Sequence, residues 1–153
     1  MAAGVPTVFL SLLDALSREQ RATGEFELLS ARGRCVLGGS ATPPSLAHEL
    51  EQLGTAVIRT WGMTELSPIG VMGAGASSSS SQTSSSEYTE AEGAGRELYG
   101  VELRVVDETG AVMPRDGEAH GELEVRGPWT IRRYYGADTD ATDTEGWFKT
   151  GDV

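Results

Sequence analysis

The stretch RCVLGGSATPPSLAHELEQLGTAVIRT, residues 34–60, carries the pattern that decides the fold. It opens at 34–38 with a short apolar run that ends on glycine, which is typical of a buried strand. Leucines then recur at helical spacing over 43–53, and the apolar run 56–60 is typical of a second strand. Strand, helix and strand in this order predict an α/β layer with parallel strands.

The residues that flank these segments support the same interpretation. Thr42 is the predicted N-cap ahead of Pro43, and Gly54 is the predicted C-cap of the same helix. Apolar side chains at helical spacing predict another helix over 5–20, with Pro6 in its first turn, where a missing N–H is tolerated. The first half of the chain therefore alternates helix, strand, helix and strand.

The composition divides the chain into three parts. Residues 1–72 form the α/β portion, and 73–95 are a Ser/Gly-rich low-complexity insertion with no apolar face to bury. Over 96–153 the pattern becomes β-rich. The segments LYGVELRVVDETG (98–110) and GELEVRGPW (121–129) alternate apolar and charged residues, which predicts a small antiparallel sheet.

The charge and the rare residue types exclude several classes of function. The net charge of −11 over 153 residues argues against binding to nucleic acid or to an anionic membrane. No apolar run approaches the length of a membrane span, and His48 and His120 have no zinc-ligand spacing. The single cysteine, Cys35, is predicted to be a buried core thiol. We therefore expect an intracellular protein, cytoplasmic or organellar, with peroxisome and mitochondrion both open.

The stretch TWGMTE contains residue types that suit a ligand site. It follows a predicted parallel strand, at whose carboxyl end α/β proteins bind ligands. Gly62 leaves space, Trp61 offers a face for stacking, Thr64 a hydroxyl, and Glu65 a hard oxygen ligand for Mg²⁺. The glycines of LGGSATPP, 37–44, allow a ligand close to the backbone at the same edge, although, taken alone, a plain strand-to-helix turn explains them better.

Four motifs occur in an order that resembles the adenylate-forming enzymes: GGSATPP, TWGMTELSP, DGEAHGELEVRGPWTIRRYYG and EGWFKTGDV. Within that superfamily, the WGMTE-SP form is most similar to medium- and long-chain fatty-acid–CoA ligases. The resemblance implies the α/β layer of the family's N-terminal domain, followed by a small antiparallel β subdomain. It also implies adenylation of a carboxylic acid by ATP, followed by thioester formation with coenzyme A.

The resemblance implies a role for eight residues. The adenine pocket and the border of the acyl site would be formed by Gly38, Gly39, Ser40, Trp61 and Gly62. Thr64 would bond the α-phosphate, Glu65 would hold Mg²⁺, and Asp152 of TGD would bind the ribose hydroxyls of ATP or AMP. From the residues alone, TGD is also ordinary turn chemistry.

Two family features are missing from the 153 residues, namely the phosphate loop that ends in Pro-Lys-Gly and the C-terminal domain with the adenylation lysine. We therefore expect a partial chain with an incomplete fold and no ligase activity of its own. A ligase for aryl or other carboxylic acids, and a non-catalytic remnant that binds a nucleotide or a partner, are the alternatives. The sequence predicts no oligomeric state.

Overall fold

The structure, a computed structural model, describes residues 1–23, 33–73 and 95–153. It consists of two compact units: residues 1–62 and 71–96 in the first, and 63–70 and 97–153 in the second. The Ser/Gly-rich insertion predicted over 73–95 lies outside the described residues, apart from its two terminal glycines. The boundaries predicted from composition stay predictions.

The first unit is an α/β layer. Its elements among the described residues are β1 (Ala2–Gly4), α1 (Pro6–Thr23), β2 (Arg34–Leu37), α2 (Pro44–Gln52), β3 (Ala56–Trp61), β4 (Val71–Met72) and β5 (Arg96–Glu97). The strands form one sheet in the order β1-β2-β3-β4-β5. Both predicted helices and both predicted strands of this half are present.

The first three strands run parallel, so the predicted layer of parallel strands is confirmed. Cys35 on β2 lies opposite Ala2 on β1 and Val57 on β3. Next to them β4 runs antiparallel to β3 and places Val71 opposite Trp61. The sequence did not predict β1, because two alanines and a glycine carry none of the β-branched character that marks a strand.

Both helices pack on the parallel strands through apolar side chains. The core cluster of this unit is formed by Phe9, Leu13, Cys35, Leu37, Leu46, Ala47, Leu50 and Val57. The predicted burial of Cys35 is confirmed, and burial raises the pKa of its thiol. A thiol in such a position is a packing residue, because a raised pKa leaves less of the nucleophilic thiolate.

The two ends of α2 differ in how well they were predicted. The N-cap is Pro43, with extended backbone and no side-chain cap bond, so the prediction of Thr42 was wrong. Because Pro44 restricts the residue before it to extended conformations, the helix begins only at Pro44. At the other end the C-cap is Leu53, one residue before the predicted Gly54. Gly54 follows it with φ +77°, and its N–H donates to the Glu51 carbonyl at 2.9 Å, so the glycine ends the helix from the next position.

The second unit contains a three-stranded antiparallel sheet. Its strands are β6 (Glu102–Val106), β7 (Glu122–Arg126) and β8 (Phe148–Lys149), in the order β6-β7-β8. The register places Leu103, Val125 and Phe148 opposite one another, so one face of the sheet is apolar. The predicted small antiparallel sheet is confirmed.

The opposite face of this sheet is charged but covered. Arg104 and Arg126 lie over the ring of Trp147, with guanidinium carbons 4.1 and 4.5 Å from its centroid. Beneath them the Arg104 Nε donates to Glu124 at 2.6 Å, and Glu124 is only 4% exposed. A carboxylate so deeply buried needs such a charged partner. The second face is therefore an ion-paired layer with a tryptophan at its centre.

A tight turn places Trp147 on this layer. The Asp143 carboxylate accepts the backbone N–H groups of Glu145 and Trp147, each at 2.8 Å. It also lies 3.6 Å from Arg104. The bond from the Trp147 N–H is the largest cause that holds the pKa of Asp143 below its usual value. Desolvation opposes it, and the bond from Glu145 and the charge of Arg104 add to the lowering.

We expect Asp143→Ala to lower the midpoint of urea unfolding at neutral pH. Because its pKa is lowered by folding, the carboxylate stabilises the fold above its unfolded pKa of about 3.9, and this is lost as the pH falls through the folded value. The difference in urea midpoint between variant and wild type should therefore become smaller below about pH 4. Asp138→Ala, at an exposed aspartate, is the control. An unchanged gap from pH 7 to pH 3 would contradict the role given to the charge.

Candidate functional site

The first candidate loop leaves β2 and packs tightly against the end of β3. Thr60 donates its hydroxyl to the Leu37 carbonyl at 3.2 Å. A Cβ at Gly38 would lie 2.2 Å from the same hydroxyl oxygen, far inside contact distance. Gly38 is therefore a glycine because Thr60 occupies the space of a side chain.

The next residues of this loop turn it toward solvent. Gly39 adopts φ +82°, which favours glycine, and Ser40 is exposed. On the neighbouring strand, Trp61 ends β3, and Trp61 and Gly62 are both half-buried. Because β2 and β3 are parallel, the two loops leave the sheet at the same edge, as predicted for a ligand site.

The second group of candidate residues lies in the other unit, on a 3₁₀ turn at Thr64–Leu66. Leu66 is fully buried and anchors the turn, while Thr64 is exposed and Glu65 is half-buried. Ser67 closes the turn in the left-handed region at φ +52°, and its N–H donates to the Thr64 carbonyl at 3.1 Å. The turn thus carries a hydroxyl and a carboxylate on consecutive residues.

A segment far along the chain holds this turn in place. The Ile131 N–H donates to the Glu65 carbonyl at 2.8 Å, and the Ser67 hydroxyl donates to the Trp129 carbonyl at 3.3 Å. The Tyr134 hydroxyl donates to the Glu65 Oε1 at 2.9 Å. This bond, then burial and the carboxylate charge, raise the pKa of Tyr134. Both the backbone and the carboxylate of Glu65 are therefore fixed from the same segment.

The sequence did not assign Tyr134 to the site. The only signal was the YYG triplet inside the motif DGEAHGELEVRGPWTIRRYYG, which supported the resemblance but carried no role of its own. A hydrogen bond between residues 69 positions apart leaves no local pattern. Only the folded chain shows which of the two tyrosines faces the glutamate.

Asp152 is held by its backbone at the edge of β7. The Leu123 N–H donates to the Asp152 carbonyl at 2.8 Å, and the Leu123 carbonyl accepts the N–H and the hydroxyl of Thr150. Gly151 between them has φ +78°, so the TGD motif is a turn pinned to a strand. Asp152 is exposed, and its N–H donates to the Thr150 hydroxyl at 3.1 Å.

Glu65 in the second unit is the carboxylate that was predicted to hold Mg²⁺. In residues 1–23, 33–73 and 95–153 no three His, Cys, Asp or Glu side chains are grouped closely enough to hold a metal. Mg²⁺ commonly binds through one or two carboxylates, with water and substrate phosphates completing the shell. The carboxylate of Glu65, which follows Thr64 in the chain, fits that mode.

The family model of AMP-binding enzymes matches residues 1–135 of the chain. The chain belongs to the AMP-binding enzyme family. A 3-methylmercaptopropionyl-CoA ligase of Ruegeria pomeroyi is 36% identical over 154 aligned residues, covering 100% of this chain and 28% of the relative. A medium-chain-fatty-acid–CoA ligase of Ectopseudomonas oleovorans is 38% identical over 154 residues, covering 100% of this chain and 27% of the relative.

Among solved structures, the o-succinylbenzoate coenzyme A synthetase of Bacillus subtilis, in complex with ATP and magnesium ion, matches with a TM-score of 0.68. It is 26% identical, and the match covers 98% of this chain and 28% of the synthetase. The chain therefore spans between a quarter and a third of the length of these relatives. The four motifs resembled the family to which the chain belongs.

The structure also bears on the expected absence of a membrane span. Neither helix in the described parts of the chain combines the length and the apolar character that crossing a membrane requires. The longer of the two, α1, has 18 residues and carries the Asp14–Arg18 ion pair on its surface.

We expect Gly38→Ala to lower the free energy of unfolding by about 1–3 kcal/mol, because the new methyl group meets the Thr60 hydroxyl. Thr60→Ala removes that oxygen, and the remaining atoms of residue 60 lie at 3.4–3.5 Å from the new Cβ. The double variant should therefore be more stable than the sum of the single changes by about 1 kcal/mol. Urea unfolding of all four proteins measures this coupling, and strictly additive effects would rule out the steric account.

Proposed function

We propose that the chain is part of an ATP-dependent fatty-acid–CoA ligase. Such a ligase joins a carboxylate to the α-phosphate of ATP, releases pyrophosphate, and then passes the acyl group to the thiol of coenzyme A. The observation that carries the proposal is the Thr64–Leu66 turn, in which a carboxylate fixed at both backbone and side chain follows an exposed threonine. Family membership and the fatty-acid–CoA ligase among the relatives support the same chemistry.

Within the second unit, Thr64 and Glu65 are the proposed catalytic residues. The exposed Thr64 hydroxyl would donate a hydrogen bond to an α-phosphate oxygen. Glu65 would hold Mg²⁺, whose charge offsets the negative charge of the phosphates. Catalysis of this kind depends on positioning and on charge stabilisation, so it requires groups that are already ordered before the substrate binds.

The remaining proposed residues bind the nucleoside. In the first unit, Gly38, Gly39 and Ser40 would line the adenine, and Trp61 would stack on it. Gly38 and Gly39 carry no side chain, so a flat ring can approach the backbone of this loop closely. Gly62 would border the acyl group. In the second unit, Asp152 would accept hydrogen bonds from the ribose hydroxyls.

A ligase of aryl acids is the second candidate, because the matched synthetase of Bacillus subtilis is named for o-succinylbenzoate. Non-hydrolysable acyl-adenylate analogues distinguish the two. The purified chain should bind a decanoyl-adenylate analogue more tightly than a benzoyl-adenylate analogue in equilibrium dialysis. The reverse order would favour the aryl ligase, and binding of neither would favour a remnant with a different ligand.

We expect Mg²⁺ to strengthen ATP binding by the purified chain, and Glu65→Gln to reduce that strengthening by about tenfold, equivalent to about 1.4 kcal/mol. The substitution keeps the size of the side chain but removes the charge that attracts the ion. Equilibrium dialysis of labelled ATP, with Mg²⁺ or with a chelator, measures the effect. Glu108→Gln, at an exposed turn of the same unit, is the matched control. Equal magnesium effects in wild type and Glu65→Gln would contradict the role of Glu65.

We also expect no pyrophosphate release by the 153 residues alone when ATP and a fatty acid are supplied. The Pro-Lys-Gly phosphate loop and the lysine domain of the family are not among these residues. Two of the groups that would offset the negative charge of the phosphates are therefore missing from them. A coupled pyrophosphate assay tests this. Release above the level of a Glu65→Ala control would show that the chain is a ligase without them.

A further inference from the structure

The Glu65 carboxylate has a partner that the proposed chemistry does not use. The Tyr134 hydroxyl donates to its Oε1 at 2.9 Å. Tyr134 is 50% exposed, so packing alone does not explain the direction of its side chain, whereas the adjacent Tyr135 is fully exposed. The phenol occupies one acceptor site of a group that has about four, and thus leaves most of the carboxylate for other ligands.

The segment that carries Tyr134 is itself ordered by hydrogen bonds. The Ala137 N–H donates to the Tyr134 carbonyl at 3.2 Å, which places a turn directly after the tyrosine. On the other side, the Ala141 N–H donates to the Arg132 carbonyl at 2.7 Å, and the Arg132 side chain pairs with Asp140 at 2.9 Å. Tyr134 therefore lies in a loop that hydrogen bonds and an ion pair hold in one conformation, so the position of its hydroxyl is defined.

The same segment also fixes the backbone beneath the carboxylate. The Ile131 N–H holds the Glu65 carbonyl at 2.8 Å, and the Trp129 carbonyl accepts the Ser67 hydroxyl at 3.3 Å. The same segment thus fixes both the backbone position of Glu65 and the position of its carboxylate. Without such contacts, a long, flexible glutamate samples several rotamers. Fixing it in one of them when a metal binds costs conformational entropy.

We propose that Tyr134 is a positioning residue that orients the Glu65 carboxylate for the magnesium ion that accompanies ATP. This inference rests on the proposed function of Glu65. Partners behind a metal-binding carboxylate hold it in the productive orientation, and their loss typically weakens metal binding by about 10–100-fold. Tyr134 acts through Glu65 and need not touch the nucleotide itself.

The test is the magnesium requirement of ATP binding by the purified chain and its Tyr134→Phe variant. This variant keeps the ring and removes only the hydroxyl. We expect the Mg²⁺ concentration for half of the effect on ATP affinity to rise about tenfold, with ATP affinity in chelator unchanged. Tyr135→Phe is the matched control, since it makes the same change one residue away, and it should behave as wild type.

A double-variant cycle separates positioning from general stabilisation. If Tyr134 acts through Glu65, Tyr134→Phe should add nothing to the magnesium defect of Glu65→Gln. A purely structural role would instead lower the urea midpoint and weaken ATP binding equally with and without Mg²⁺. That result, or a normal magnesium requirement in Tyr134→Phe, would overturn the inference.

The cycle also distinguishes the inference from the function on which it rests. A magnesium defect in Glu65→Gln without one in Tyr134→Phe would overturn the positioning role and leave the proposed function standing. Equal magnesium effects in wild type and Glu65→Gln would overturn both. A tenfold shift in Tyr134→Phe that disappears in the Glu65→Gln background would support both.

Discussion

The hydrogen bonds between the Thr64–Leu66 turn and the 129–134 segment are the constraint on which the second unit depends. They join residues as far as 69 positions apart, and they make 63–70 part of the β-rich unit although the α/β elements surround it in sequence. Three groups of the later segment are involved: a backbone N–H, a backbone carbonyl and a phenol. The turn that carries Thr64 and Glu65 is therefore held by a segment that lies far along the chain within the same unit.

The charged face of the β-rich unit shows how an acidic chain can bury carboxylates. Glu124 is 4% exposed, and its charge is met by Arg104, which also lies over the Trp147 ring. Arg126 also lies over that ring, and it pairs with Glu102 at 2.7 Å. Each arginine thus serves an acid and an aromatic ring at once, which suits its planar guanidinium. Lysine at either position would provide the charge without the stacking plane.

Most regular elements could be predicted because their signal is local. Leucines at helical spacing predicted α2, and alternating residues predicted β6 and β7, since one face of each is buried. The features that were missed lack such a signal. The strand β1 has only alanines and a glycine, and the N-cap at Thr42 failed because Pro44 controls the residue before it.

The candidate site could be predicted in its residue types but not in its arrangement. The sequence named Thr64 and Glu65 from their chemistry and from the resemblance, yet it gave Glu65 no partner. The partner, Tyr134, follows from tertiary pairing, and no spacing rule connects two residues of different local segments. The contact of Thr60 with Gly38 was missed for the same reason, although both ends lie in motifs that had been singled out.

The two groups of candidate residues are built by different physical means, and this decides which changes each can tolerate. In the first unit, position depends on volume, since Gly38 exists because an oxygen of Thr60 fills the place of its Cβ. Any side chain there acts through overlap, whatever its polarity. In the second unit, position depends on polar contacts: the Ile131 N–H holds the Glu65 backbone, and the Tyr134 hydroxyl holds its carboxylate. There the loss of one oxygen matters while the volume of the ring does not, so phenylalanine, a mild change by size, is a severe change by chemistry.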